Sequence, residues 1–232
     1  MRTRFQQGLD DLRERLLRMG GLAEQAVDRA CQAYLDRDLV RCHLVLEGES
    51  LINAAEREID EVAFDLLAMQ QPMAVDLRFI LAVTKINSDL ERVGDQAVNI
   101  AERVMDMVEL PKVELPVDIG RMAAAVSAMV RRALESFIEG KAELAHAVLE
   151  MDNVVDRMRD EAFIMLVKAM NDRPEVTRQA LDALLVARNL ERVADHATNI
   201  AEDVIFWVRG ADVRHNAPQV EVSNQQQITD TH

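Results

Sequence analysis

The chain has 232 residues, with 27 Lys and Arg against 41 Asp and Glu, and its formal net charge is −14 at pH 7. That charge excludes most nucleic-acid binders, because their affinity rests on Lys and Arg that neutralise phosphates. It favours cations or basic protein surfaces as partners. With 49% hydrophobic and 29% charged residues, the composition is that of a globular protein with one large domain or two small ones.

Nothing in the sequence indicates secretion or direct membrane insertion. The N-terminal residues lack the apolar segment of a signal peptide, and the apolar runs are far shorter than the roughly 20 residues that a membrane span needs. The two cysteines, Cys31 and Cys42, do not have the spacing of a zinc site. We interpret them as reduced thiols, and we expect a soluble, cytoplasmic protein.

Long helices are expected along most of the chain. Aromatic residues are only 3%, with 8 Gly and 5 Pro, which is too few for a β-sandwich or barrel. Apolar residues recur with helical spacing between the prolines, and proline ends helices. The sequence predicts an all-α protein of six helices, at residues 5–34, 40–70, 75–109, 118–140, 142–171 and 175–209.

The two halves of the chain repeat one another. The string Leu-Glu-Arg-Val-Gly-Asp-Gln-Ala-Val-Asn-Ile-Ala-Glu at 90–102 returns at 190–202 with ten of thirteen positions identical. A match at a fixed offset indicates an internal duplication, and short connections predict antiparallel neighbours. We therefore predict a tandem duplication of an antiparallel three-helix bundle. Its predicted parts are the first bundle at 1–110, a linker at 111–117, the second bundle at 118–210 and a disordered tail at 211–232.

A row of acidic and amide side chains follows the repeated helix in each half. At about 100° per residue, the members of a row fall within about 80° of one another, opposite the apolar stripe. The rows are Glu91, Asp95, Asn99 and Glu102 in the first copy, and Glu191, Asp195, Asn199 and Glu202 in the second. We expect both rows to face outward, away from the core.

The preceding helix of each half carries a shorter acidic pair, Glu56 with Asp60 and Asp152 with Asp156. Between antiparallel helices, such a pair can face the longer row. Like charges four residues apart repel one another, and hard oxygen ligands are what Mg²⁺, Mn²⁺ or Fe require. A surface metal site and an ordinary solvated acidic face both remain open at this point.

Other functions have weaker support. A ferritin-like di-iron oxidase or metal-storage protein would need inward-facing ligands in Glu-x-x-His motifs. This chain has such a motif at Glu143 and His146, without a counterpart in the first half. A purely structural helical spacer is a further alternative. No catalytic loop or triad motif is recognisable, and we expect His196 to support Asp195 or to face solvent.

The duplicated string, the paired acidic motifs and the segment Gln71-Pro-Met-Ala-Val-Asp-Leu-Arg78 resemble the PhoU family over residues 1–210. The resemblance implies a cytoplasmic, homodimeric, non-enzymatic protein that represses the phosphate-starvation response. It would act between the ATPase subunit of a phosphate ABC transporter and a sensor histidine kinase. The resemblance also implies Fe, Mn, Mg or Zn ions held by the four acidic pairs, all of which are intact. The second half keeps only Arg178 opposite Arg78, so any role of that segment would belong to the first half.

Overall fold

The computed structural model describes residues 4–210 and Val213, so most of the predicted tail lies outside the described residues. The described residues are helical with no strand, and the all-α prediction is confirmed. The six helices are α1 (Arg4–Asp36), α2 (Leu39–Gln70), α3 (Val75–Met107), α4 (Ile119–Glu139), α5 (Ala142–Asp172) and α6 (Thr177–Arg209). A short 3-10 helix at Pro174–Val176, which the sequence did not predict, precedes α6. No helix in the described part of the chain is long and apolar enough to cross a membrane.

Local chemistry sets several of the helix ends. The Asp38 carboxylate accepts hydrogen bonds from the backbone N–H groups of Val40 and Arg41 at 2.9 and 3.2 Å, which caps α2. Asp118 caps α4 through the backbone N–H of Arg121 at 2.9 Å. Gly210 ends α6 in the left-handed region, at φ 70°, where a residue without a Cβ is least strained. These caps place the helix boundaries within a few residues of the predicted ones.

Each half is a three-helix bundle, as predicted. Helices α1, α2 and α3 pack on one another in the first half, and α4, α5 and α6 do so in the second. The repeated leucines Leu90 and Leu190 are fully buried in equivalent positions of the two bundles. The duplication in the sequence is therefore a duplication in the fold.

The two bundles are joined by the packing of α3 along α6, with α1 against α4 as a smaller contact. The Arg78 side chain donates to the Trp207 carbonyl at 3.4 Å, and the Lys85 ammonium lies 3.2 Å from the Asp203 carboxylate. Residue numbers thus rise along α3 as they fall along α6, which makes the pair antiparallel. Buried apolar side chains from all six helices form one continuous core.

An aromatic cluster lies at one end of the interface between the two bundles. Phe79 of α3 has its ring centroid 5.2 Å from that of Trp207 of α6 and 6.0 Å from that of Phe137 of α4. The guanidinium carbon of Arg13, on α1, lies 5.2 Å from the Phe79 and Trp207 centroids. Such cation–π and edge contacts add to the apolar burial. One cluster therefore ties α1, α3, α4 and α6 together.

A continuous core predicts that the two halves unfold together. Leu90→Ala, in the first half, removes fully buried methyl groups and should lower the free energy of unfolding by about 2–5 kcal/mol. Trp207 is the single tryptophan and lies in the second half. We therefore expect the urea unfolding curves of Leu90→Ala, measured by Trp207 fluorescence and by far-UV circular dichroism, to have the same midpoint, at a lower urea concentration than in the wild type.

Leu51→Ala is the matched control, because that side chain is 58% exposed and its loss should cost no more than about 0.5 kcal/mol. The shared core would be contradicted if Leu90→Ala left the midpoint of the Trp207 fluorescence transition unchanged and its circular dichroism showed two separate transitions.

Candidate metal centre

The acidic pairs of adjacent helices meet along two surfaces, which we call seams. The N-terminal seam, between α2 and α3, consists of Glu56, Asp60, Glu91 and Asp95. The C-terminal seam, between α5 and α6, consists of Asp152, Asp156, Glu191 and Asp195. Seven of these eight residues are half-buried, and Asp195 is exposed. The structure therefore brings together the four pairs that the sequence singled out.

The N-terminal seam concentrates negative charge at a half-buried place. Burial raises the pKa of Glu56, and the neighbouring carboxylates of Asp60 and Asp95 raise it further. Burial also raises the pKa of Glu91, with Asp95 and Glu56 as the next causes. Asp95 of α3 acts on Glu56 of α2, and Glu56 acts on Glu91 of α3, so the two pairs interact across the seam.

The C-terminal seam shows the same effect. Partial loss of hydration raises the pKa of Asp195 to about 6, together with the charges of Glu191, Asp152 and Asp156. Burial and Asp156 likewise raise the pKa of Asp152, with the Thr198 hydroxyl acting in the opposite direction. Each seam thus favours either a proton or a cation that would relieve the repulsion.

None of the row residues is buried, so the rows face away from the core, but several of them lie half-buried against a neighbouring helix. A helical-wheel projection assigns one buried face to each helix, but α3 packs against α1, α2 and α6 at once. A side chain turned away from the mean apolar direction can therefore still lie against a neighbouring helix. Gly94 assists this approach, since a Cβ there would lie 2.8 Å from the Cδ1 atom of Ile52 on α2.

The four remaining row residues do not join the seams. Asn99 and Glu102 are exposed on α3. Asn199 and Glu202 line a cleft against α3 of the first half, and the Asn199 amide donates to Asp89 Oδ1 at 3.2 Å. The row on α6 therefore divides, with Glu191 and Asp195 towards α5 and the other two towards α3.

His196 lies in the interface between the two bundles. Its Nδ1 atom lies 2.9 Å from Asp89 Oδ1, and its side chain is 15% exposed. The expectation that it supports Asp195 or faces solvent is therefore replaced by a contact with α3. The polar groups of Asp89, His196 and Asn199 satisfy one another at the interface of the two halves.

Two residues of the seams were missed by the sequence analysis. Asn87 is 1% exposed, and its Nδ2 atom donates to Asp60 Oδ1 and to the Glu56 carbonyl, both at 3.0 Å. Arg159 lies within ion-pair distance of the C-terminal seam. A polar residue within the apolar stripe of α3 was the available signal for Asn87, and an arginine three residues after Asp156 was the signal for Arg159.

The chemistry of the donors fits a metal ion better than their placement does. Carboxylate oxygens suit Mg²⁺, Mn²⁺ and Fe, and a bound cation would offset the repulsion that raises the pKa of Glu56 and Glu91. Within residues 4–210 and 213, however, no three His, Cys, Asp or Glu side chains are arranged to hold an ion. Metal binding at a seam would require its side chains to rotate.

Comparison with known proteins identifies the family. The model of the PhoU domain matches this chain twice, at residues 16–104 and 119–204. The phosphate-specific transport system accessory protein PhoU homolog of Pseudomonas aeruginosa is 41% identical over 214 residues, which cover 91% of this chain and 88% of that protein. The chain belongs to the PhoU family.

Solved PhoU structures share this architecture. The crystal structure of PhoU from Pseudomonas aeruginosa superposes with a TM-score of 0.86 at 39% identity, covering 90% of this chain and 100% of that one. The phosphate transport system regulatory protein PhoU from Streptococcus pneumoniae superposes with a TM-score of 0.81 at 26% identity, covering 90% and 99%. The tandem three-helix arrangement is thus the PhoU fold.

The raised pKa of Asp195 predicts a pH-dependent cost in the metal-free protein. The pKa of Asp195 in the folded protein is about 6, above the ordinary value of 3.8. Ionisation of Asp195 therefore lowers the free energy of unfolding, and this loss grows as pH rises from about 4 to 6 and is complete above 6. Asp195→Asn should therefore stabilise the protein at pH 8 and have no effect below pH 4. The exposed carboxyl is screened by solvent, so we expect a gain of about 0.5–1 kcal/mol.

The measurement is urea unfolding at pH 4 and pH 8 in the presence of a chelator. Asp65→Asn, an exposed carboxylate on α2 outside the seams, is the control. A loss of stability in Asp195→Asn at pH 8 would contradict the repulsion at this seam.

Proposed function

We propose that this protein is an accessory regulator of a phosphate-specific transport system. Its relative in Pseudomonas aeruginosa is described as an accessory protein of such a system, and the PhoU of Streptococcus pneumoniae is described as a regulatory protein. In this proposal it is a cytoplasmic, homodimeric, non-enzymatic protein. It represses the phosphate-starvation response by linking the ATPase subunit of the phosphate ABC transporter to a sensor histidine kinase. The observation that carries the proposal is the match to PhoU relatives along nine-tenths of the chain, in both sequence and fold.

The shape of the molecule suits an adaptor. Each central helix has 33 residues, which corresponds to a length of about 50 Å. Two bundles side by side present helical surfaces long enough for two protein partners. The charge of −14 favours basic surfaces on those partners.

The second part of the proposal is that each half binds metal ions at its seam. Glu56 and Asp60 with Glu91 and Asp95 would hold the ion in the first half. In the second half the ligands would be Asp152, Asp156, Glu191 and Asp195. Asn99, Glu102, Asn199 and Glu202 would contribute outer contacts or hold bound water. The ion would be Fe, Mn, Mg or Zn, and its positive charge would offset the repulsion among these carboxylates.

The di-iron alternative has no support. Glu143, the acidic member of the Glu-x-x-His motif, has a side chain that is 73% exposed, and its carboxylate lies 2.6 Å from the Arg209 guanidinium. It is a surface ion pair at the end of α6 rather than an inward ligand. The carboxylates that do come together lie between two helices of each bundle.

Deletion of the gene in its host should switch on phosphate-scavenging genes while phosphate is plentiful. The measurement is expression of a phosphate-starvation reporter in the deletion strain, with the wild-type gene restored on a plasmid as control. Restored repression by the plasmid copy is the expected result. A deletion strain that stays repressed would refute the regulatory role.

Glu91→Ala combined with Asp95→Ala should abolish metal uptake by the N-terminal half. The variant removes two of the four carboxylates and should leave the helices intact, since it also removes like-charge repulsion. The measurement is elemental analysis after dialysis against Mn²⁺, with dichroism to check the fold.

The matched control is Glu61→Ala combined with Asp65→Ala. These residues have the same Glu-xxx-Asp spacing on α2, but both are exposed and lie outside the seam. Equal metal content in the two double variants would refute the site in the N-terminal half.

A further inference from the structure

The two seams differ in how their charge is balanced. In the C-terminal seam the Arg159 guanidinium lies 3.6 Å from Asp156 Oδ1 and 3.6 Å from Glu191 Oε1. It is also 3.3 Å from Asp160 Oδ1. One cation of the chain itself thus reaches from α5 to the carboxylate of α6 across the seam.

The Arg159 side chain is 39% exposed, but its inner part lies against the seam. Its Nε atom is buried and has no hydrogen-bond partner among the described residues. A buried guanidinium nitrogen without a partner is costly, so the ion pairs with Asp156 and Glu191 must offset that cost. The guanidinium therefore lies beside two of the carboxylates that a bound cation would contact.

The N-terminal seam has no such cation. The residue at the equivalent place, three positions after Asp60, is Ala63, which is fully buried. Among the described residues, no Lys or Arg nitrogen lies within ion-pair distance of the four N-terminal carboxylates. Arg57 and Arg92 act on Glu56 only from farther away, and burial and Asp60 outweigh them, so the pKa of Glu56 remains raised.

A neutral donor takes the place of a cation in the N-terminal seam. The Asn87 amide nitrogen holds Asp60, while its Oδ1 atom is buried and has no hydrogen-bond partner in the described part of the chain. The equivalent residue of the second half is Ala187. A buried amide oxygen without a partner, on a side chain that holds Asp60, is a hard ligand of the kind that Mg²⁺ and Mn²⁺ accept.

We propose that Arg159 is the built-in counter-cation of the C-terminal seam, so that metal ions bind the N-terminal seam first. This inference rests on the metal-binding part of the proposed function. A metal ion entering the N-terminal seam only relieves repulsion among carboxylates, and Asn87 adds a neutral oxygen. A metal ion entering the C-terminal seam must first displace a guanidinium from two of its ligands.

The test is calorimetric titration of the full, chelator-treated chain with Mn²⁺. Arg159→Met keeps the apolar stem and removes the charge. Arg157→Met is the matched control, because it removes the same charge from an exposed residue of the same helix that forms no ion pair with the seam. The wild type and Arg157→Met should show one tight site, and Arg159→Met should bind a second ion about tenfold more tightly than the wild type does.

The paramagnetism of Mn²⁺ locates each site, since it broadens the NMR signals of nearby residues. In the wild type the first broadened signals should come from α2 and α3. Two sites of equal affinity in the wild type, or the same weak second site in Arg159→Met, would overturn this inference and leave metal binding itself intact. Absence of Mn²⁺ uptake by all three proteins would overturn the metal-binding part of the proposed function, and this inference with it.

Melting without metal at low ionic strength gives an independent readout. If Arg159 balances the C-terminal seam, Arg159→Met should melt several degrees lower than Arg157→Met. Equal melting temperatures would show that Arg159 does not neutralise the seam.

Discussion

The antiparallel packing of α3 along α6 is the constraint on which the rest of the structure depends. These are the helices that carry the repeated string, and each is covered by its own bundle on one side and by the other bundle on another. Their apolar residues must therefore serve two interfaces, as the full burial of Leu90 and Leu190 shows. Several polar residues of these two helices consequently lie between neighbouring helices, and others are exposed. The seams with α2 and α5, and the contact of Asp89 with His196, occupy those positions.

The acidic seams are costly in the absence of a cation. The seam carboxylates lose part of their hydration and also repel one another, so the pKa values of Glu56, Glu91, Asp152 and Asp195 are raised. A protein does not need such an arrangement for stability, since apolar residues would fill the same space at lower cost. An arrangement that costs stability is typical of a functional site. Both halves share this cost, but only the C-terminal seam has a cation of the chain, Arg159, within ion-pair distance of two of its carboxylates.

Much of the fold could be predicted from the sequence because its signals are local. Proline positions and helical periodicity predicted six helices, and the repeat at an offset of 100 predicted two bundles. The pairing of α3 with α6 could not be predicted, since helical periodicity does not show which of several apolar faces meets which partner. For the same reason, periodicity could not show that some of the outward acidic residues lie half-buried against a neighbouring helix. Arg159 and Asn87 were not predicted as seam residues because their roles depend on contacts with the facing helix, and a single sequence does not show those contacts.

The central claim is that the N-terminal seam is a cation site formed by two helices of one bundle. Anomalous diffraction from a crystal grown with Mn²⁺ tests it most directly, because the signal marks the ion's position independently of any assumption about its ligands. The account predicts a peak between α2 and α3, within about 2.5 Å of oxygens from Glu56, Asp60, Glu91 or Asp95. Mn²⁺ peaks only at other places on the protein, with these carboxylates free, would contradict it.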